Sequence, residues 1–198
     1  MTAFDATGQN PFEIFDNWIT QAEKDNPNNP NAMCLSTVSM DGKPSSRTVL
    51  LKEYGENGFI FYTNSESRKG QDLSKNPYVA LNFYWRETQR QVRIEGKIEI
   101  VPRAMTQSYF NSRQRGSQIA SYASQQSRPL LDRTVYEDRI QELEKQFKND
   151  TEIQCPDHWN GYRVIPSSIE LWVEGQYRTH DRFVFKAKND WIAERLYP

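Results

Sequence analysis

The sequence predicts a mainly β domain, a barrel flanked by a few helices. Three observations carry this. Val92, Ile94, Ile98 and Ile100 alternate with Arg93, Glu95, Lys97 and Glu99, the period-2 pattern of a strand with one buried face. Asp41-Gly42 and the stretch from Gly55 to Gly58 supply turns between such runs, glycine tolerating positive φ there. Six to eight runs of this kind, joined by tight turns, pair mostly antiparallel, and with a few helices they suggest a barrel.

Taken in order, residues 1–9 read as a loose tail. Asn10-Pro11 reads as an N-cap followed by proline at the first helical position. Phe12, Phe15, Trp18, Ile19 and Ala22 then recur at helical spacing, so a helix is expected to about Lys24. The Asn- and Pro-rich stretch 25–31 is a loop. Strands are expected over 32–39, 45–52, 59–63, 78–86 and 91–101. Helices are expected from Pro102 to about Arg113, from Ser117 to Ser124, and from Pro129 to about Phe147, the last with Leu131 and Val135 on one face. Closing strands are expected over 162–173, 182–186 and 191–195. No repeat or domain boundary is visible, and 1–198 reads as a single domain.

The composition narrows the function. At 198 residues, 26% charged and 36% hydrophobic, the chain has a globular make-up. A net charge of -1 argues against a nucleic-acid partner. Cys34 and Cys155 are far apart and read as free thiols of a reducing compartment. Neither a signal peptide nor a run of ~20 apolar residues is seen, so a cytoplasmic protein without a membrane anchor is expected. Two histidines and no His/Cys cluster argue against a metal site. GxGxxG, P-loop and GxSxG signatures are missing.

Cations at strand ends and turns are present instead. Arg47 and Lys52 flank Thr48, Val49, Leu50 and Leu51. On one extended strand they would point to opposite faces about 17 Å apart, suited to two anions or simply solvated at an edge. Tyr62-Thr63-Asn64 ends a strand, and Ser67-Arg68-Lys69-Gly70 opens a helix. Cations there oppose the helix dipole, and helix-start N–H groups with Arg and Lys make an anion site. Tyr109 and Arg113 lie four apart on a helix, with Ser117 beyond, and a phenol beside a guanidinium suits a phosphate or a plain surface stack. Trp172 precedes Arg178-Thr179-His180-Asp181-Arg182. If that stretch is extended, Arg178, His180 and Arg182 share one face, which would bind an anion or electron-rich ring, or guard an edge against aggregation.

Together with Asn76-Pro77, residues 90–96 (RQVRIEG), residues 117–119 (SQI), Gln126-Ser127 and the terminal Arg195-Leu196-Tyr197-Pro198, these stretches resemble the pyridoxine/pyridoxamine 5'-phosphate oxidase family from about residue 11 to the end. The resemblance implies an FMN-binding split β-barrel that forms a homodimer with FMN at the interface. It implies that Arg47, Arg68 and Lys69 hold the FMN phosphate region. Thr48, Val49, Leu50, Leu51, Lys52, Tyr62, Thr63, Gln91, Gln126, Ser127, Trp172 and Arg182 would make further cofactor contacts, some from the second subunit. Lys52, Tyr109, Arg113 and Ser117 would bind the substrate phosphate. Arg178 and His180, with Thr179 between them, would cover the pyridine ring as the catalytic pair. The implied reaction moves a hydride from substrate C4' to the flavin, which O2 reoxidises with release of H2O2; the amine substrate also yields ammonia after imine hydrolysis.

The chain departs from the family pattern at four places. Residues 1–10 lack the Arg/Tyr segment that folds over the substrate, Thr179 replaces a usual Leu, Val173 a usual Gln, and Asn160-Gly161 a usual Gly-Gly. Two further readings stand beside this one: a split-barrel flavin oxidase of another, phenazine-type substrate, and, with room left by the altered 173–179 loop and the missing N-terminal segment, a non-catalytic flavin- or pyridoxal-phosphate-binding protein.

Overall fold

The computed structural model describes residues 4–149, 152–187 and 190–198. Helix α1 (Pro11–Asp25) leads into β1 (Ala32–Val38), β2 (Pro44–Leu50), β3 (Glu53–Gly55) and β4 (Gly58–Asn64). Helix α2 (Arg68–Lys75) precedes β5 (Tyr78–Trp85) and β6 (Arg90–Ile100). Three helices follow, α3 (Arg103–Ser112), α4 (Arg115–Ala123) and α5 (Arg133–Gln146). The chain closes with β7 (Trp159–Val173), a 3-10 turn at Gln176–Arg178, β8 (Asp181–Ala187) and β9 (Trp191–Leu196).

The strands form one antiparallel sheet in the order β2-β1-β5-β6-β7-β4-β3, with β8 and β9 added beside β7. The sheet curls because the fifteen-residue β7 changes partner along its length. Residues 159–164 pair with β4, and residues 168–173 pair with β8. The bend falls at a register shift between Glu95 and Gly96, opposite Pro166. A Cβ on Gly96 would come within 2.1 Å of the Ile165 carbonyl oxygen, so only glycine permits this approach. Mainly β architecture with flanking helices, as the turn spacing predicts, is what the chain adopts.

One inward row runs across five strands: Phe185, Ile169, Ile94, Leu81 and Leu35, all fully buried. The next residue in that row, on edge strand β2, is Arg47. Helix α1 covers the core with Phe12, Phe15, Trp18 and Ile19, and Asn10 caps it by accepting the Phe12 N–H at 2.8 Å. A second cluster of Phe110, Ile119, Leu143, Phe147 and Trp159 joins α3, α4 and α5 to the start of β7.

Several expectations are corrected. Residues 4–9 are not a loose tail: Ala6 is fully buried, and Phe4 packs on Trp18 and Phe183; Met1 to Ala3 lie outside the described residues. Helix α5 starts at Arg133 rather than Pro129, because Asp132 supplies the cap by accepting the Thr134 N–H. Leu131 is therefore in the preceding loop and, with Val135, exposed. Helix α4 starts two residues early, and β7 starts at Trp159. The stretch 178–182 is not extended throughout: Tyr177 and Arg178 both take left-handed φ, 55° and 65°, and the strand β8 begins only at Asp181.

Candidate functional site

A cleft of about 940 Å³ opens between β2, β4, the start of α2 and the α3–α4 pair. Arg47 reaches it from the edge strand. Its Nη1 donates to the Leu35 carbonyl at 3.2 Å and to Thr37 Oγ1 at 2.9 Å, and its Nη2 to Ser45 Oγ at 2.9 Å. Thr37 Oγ1 in turn donates to the carboxylate of Asp72 on α2 at 2.7 Å, and both side chains are buried. This relay fixes the guanidinium while leaving the guanidinium without an ion pair.

Across the cleft, Ser67 caps α2, accepting the Gly70 N–H through Oγ. Gly70 lets the turn close: a Cβ there would lie 2.2 Å from the Ser65 carbonyl oxygen. Lys69 folds back from the first turn, and its Nζ donates to Thr63 Oγ1 at 3.2 Å, Ser67 Oγ at 3.1 Å and Gln126 Oε1 at 2.7 Å. Burial, reinforced by the Arg47 charge, pulls its ammonium down to about 8. Arg68 lines the same end, exposed.

The other end is an aromatic stack. Tyr62 on β4, Tyr109 on α3 and Trp159 at the start of β7 pack as three near-parallel rings, with centroids 4.1 Å apart for Tyr62–Tyr109, 5.3 Å for Tyr62–Trp159 and 6.0 Å for Tyr109–Trp159. Lys52 Nζ stands 5.7 Å over the Tyr109 ring, and the Arg113 guanidinium 4.9 Å over Trp159. Arg113 Nη1 also donates to Ser121 Oγ at 2.7 Å. Burial, with the Glu53 carboxylate nearby, pushes the Tyr62 phenol up to about 12, so it stays neutral at ordinary pH. Among the described residues none of Arg47, Lys52, Arg68, Lys69 and Arg113 forms an ion pair. Five cations in one cleft with no ion pair among the described residues favour anionic ligands.

The predicted residues divide into two patches. Arg47, Thr48, Val49, Leu50, Lys52, Tyr62, Thr63, Arg68, Lys69, Tyr109, Arg113, Ser117, Gln126 and Ser127 line the cleft. Arg47 and Lys52 do not stand on one strand as expected; β2 ends at Leu50, the Lys52 N–H bonds to the Ile60 carbonyl, and the turn brings both cations into one cleft. The Leu51 side chain points into the core instead. Gln91, Trp172 and Arg182 form a cross-strand row on the outer face of β6, β7 and β8, away from the cleft lining. The Arg182 guanidinium is not unpaired, as the sequence suggests: it forks onto buried Glu170 at 2.9 and 2.7 Å, and Arg93 holds the other carboxylate oxygen at 2.9 Å. His180 packs on Trp172 at 4.6 Å, and its Nδ1 accepts the Gly175 N–H at 3.2 Å. Arg178 and Thr179 lie in the exposed loop before it. Sequence reasoning missed Thr37, Asp72, Ser121 and Trp159, which act only through long-range contacts with no local motif.

Comparison with known proteins gives consistent results. The family model described as pyridoxamine 5'-phosphate oxidase matches residues 19–147, and that described as the pyridoxine 5'-phosphate oxidase C-terminal dimerisation region matches residues 159–198. A curated pyridoxine/pyridoxamine 5'-phosphate oxidase of Gluconobacter oxydans is 48% identical over 189 residues, 95% of this chain and 94% of that protein. One of Acaryochloris marina is 49% identical over 190 residues, 96% of this chain and 86% of that protein. Among solved structures, PhzG of Burkholderia lata in complex with tetrahydrophenazine-1-carboxylic acid superposes with a TM-score of 0.88 at 30% identity, covering 95% of this chain and 92% of that one. A pyridoxamine 5'-phosphate oxidase-related, FMN-binding protein of Nostoc punctiforme shares the fold with a TM-score of 0.74 at 14% identity, covering 93% and 97%. By two matched family models that together span most of its length, and by relatives nearly half identical to it, this chain belongs to the pyridoxine/pyridoxamine 5'-phosphate oxidase family.

Proposed function

We propose that this protein is an FMN-dependent oxidase that converts pyridoxine or pyridoxamine 5'-phosphate to pyridoxal 5'-phosphate, working as a homodimer. The observation that carries the reading is the sorting of five unpaired cations into two ends of one cleft, with an aromatic stack at one end. The donor set fits FMN: among the described residues buried Lys69 and tethered Arg47 form no ion pair, and they suit a phosphate dianion. Once bound, FMN supplies two-electron redox chemistry and passes the electrons to O2, giving H2O2.

The protein's own residues hold and orient. Arg47, Arg68 and Lys69 grip the cofactor phosphate, while Thr48, Val49, Leu50, Tyr62, Thr63, Gln126 and Ser127 line its bed. Lys52, Tyr109, Arg113 and Ser117 hold the substrate phosphate, so that C4' is placed for loss of its hydrogen and two electrons. The leftover proton passes from the substrate hydroxyl or amine to water, and the imine formed from the amine hydrolyses with release of ammonia. The second patch, Gln91, Trp172, Arg178, Thr179, His180 and Arg182, completes the cleft of the other subunit across the dimer. There Arg178 and His180 cover the pyridine ring. Proximity of this kind supplies much of the rate advantage.

The likeness to PhzG raises a phenazine-type substrate as the second reading. The Lys52, Tyr109, Arg113 and Ser117 set favours a phosphorylated one, as do the names of the more similar relatives. The test is an absorbance spectrum of the purified protein with added FMN, then an aerobic peroxide assay with both phosphorylated vitamers. A flavin spectrum and peroxide with either vitamer are expected. A protein that takes up no FMN, or that binds it and yields no peroxide, refutes the proposal.

A further inference from the structure

Asp181 separates His180 from Arg182 and has no place in the chemistry proposed above. Its carboxylate is nonetheless held at both oxygens. Oδ2 accepts the Phe4 main-chain N–H at 2.9 Å, and Oδ1 receives Arg195 Nη1 of β9 at 2.6 Å. Arg195 Nη2 closes the circle by donating to the Phe4 carbonyl at 3.2 Å, and its guanidinium stacks on Phe183 at 4.4 Å. Phe4 itself is wedged against Trp18 and Phe183. The N-terminal segment, β8 and β9 are thereby tied at one residue, the root of the loop that carries Arg178 and His180.

That loop needs an anchor. Tyr177 and Arg178 are both left-handed, a conformation that costs non-glycine residues about 1 kcal/mol or more each. A Cβ on Gly175 would sit 1.9 Å from the Thr179 carbonyl oxygen, so only glycine fits the turn as it is closed here. Within it the bonds are few: Gly175 N–H to His180 Nδ1, and the Thr179 N–H and hydroxyl to the Gln176 carbonyl. Such strain persists only where the surroundings over-determine it, and here the loop itself is exposed.

We propose that Phe4, Asp181 and Arg195 form a clamp whose role is to position His180 and Arg178, so that the N-terminal segment serves the reaction by bracing the loop from behind. Asp181 and Arg195 are positioning residues in this sense. The inference rests on the functional reading above, and its test has an arm that does not.

The experiment compares the FMN-loaded parent with Arg195→Ala, Asp181→Asn and Arg195→Lys. Steady-state rates with pyridoxine 5'-phosphate are measured alongside FMN affinity and amide hydrogen exchange at Gly175 and Thr179. The clamp predicts that Arg195→Ala and Asp181→Asn lower kcat on the order of tenfold to a hundredfold, with KM and FMN affinity within about threefold of the parent. It also predicts faster exchange at both amides and partial recovery in Arg195→Lys. Unchanged exchange in Asp181→Asn overturns the clamp whatever the rates do. Rates lost together with FMN binding, without an exchange change confined to the loop, also overturn it. If Arg195→Ala does not fold, Asp181→Asn and Arg195→Lys carry the same comparison. A parent that binds FMN but oxidises neither vitamer defeats the functional reading alone, and the exchange measurement still decides the clamp.

Discussion

Replacing Lys69 by Met should change how the flavin-free protein's stability depends on pH. The ammonium is buried on three neutral acceptors and sits near Arg47, which pulls its pKa from the ordinary 10.5 to about 8. Each pH unit of depression is worth about 1.4 kcal/mol, so the charged lysine costs the folded apoprotein about 3 kcal/mol. The sign follows from proton counts. Below pH 8 both states hold the proton, and the folded state bears the full cost. Between about 8 and 10.5 the unfolded state binds more protons, so the parent gains stability as pH rises, by up to about 1.4 kcal/mol per unit. Lys69→Met lacks this titration. Its absolute stability is offset by loss of the Lys69 bonds to Thr63, Ser67 and Gln126, about 1 kcal/mol each. The difference between variant and parent is therefore the quantity to follow, because tyrosine titrations occur in both proteins and cancel. Urea unfolding of the two apoproteins at four pH values from about 7 to 10 should show that difference moving toward the parent by about 2 kcal/mol or more. Added inorganic phosphate should push the movement to higher pH, since an anion beside Lys69 favours its charged form. A difference flat across this range refutes the reasoning, because the cleft would then not be an unfilled anion site with a desolvated cation.

Thr37→Val breaks the relay between Asp72 and Arg47 and should weaken FMN binding roughly tenfold, with Thr37→Ser restoring it; fluorescence titration reads this. Glu170→Ala leaves Arg93 and Arg182 without their shared carboxylate; with Arg93 half in solvent, the loss should be about 2 kcal/mol, or roughly 4–8 °C in Tm by calorimetry. Arg113→Lys gives up the Ser121 bond and the stack on Trp159, and should raise KM for the phosphorylated substrate about tenfold while FMN affinity holds.

Much of the fold was legible along the chain, since it depends on local periodicity and turn chemistry. The β6 alternation, the Asp41-Gly42 turn and the Asn10-Pro11 cap all stand in the structure near where the sequence puts them. Errors fell where a local signal met a competing one. Pro129 suggested a helix start, but Asp132 holds the cap; residues 4–9 looked polar and loose, yet Phe4 finds a socket made by Trp18 and Phe183.

The candidate site shows the same division. Residue types and spacing along single segments identified the cations and aromatics, because phosphate recognition needs particular side chains whatever the fold. Tertiary structure alone decided that Arg47 and Lys52 share a cleft, that Thr37 and Asp72 anchor Arg47, and that Arg182 is neutralised by Glu170. It also separated Trp172 and His180 from that cleft. The physical reason is one of distance: side-chain identity and local pattern are written within a few residues, whereas the partners of a charge lie on strands tens of residues apart, joined only when the sheet curls.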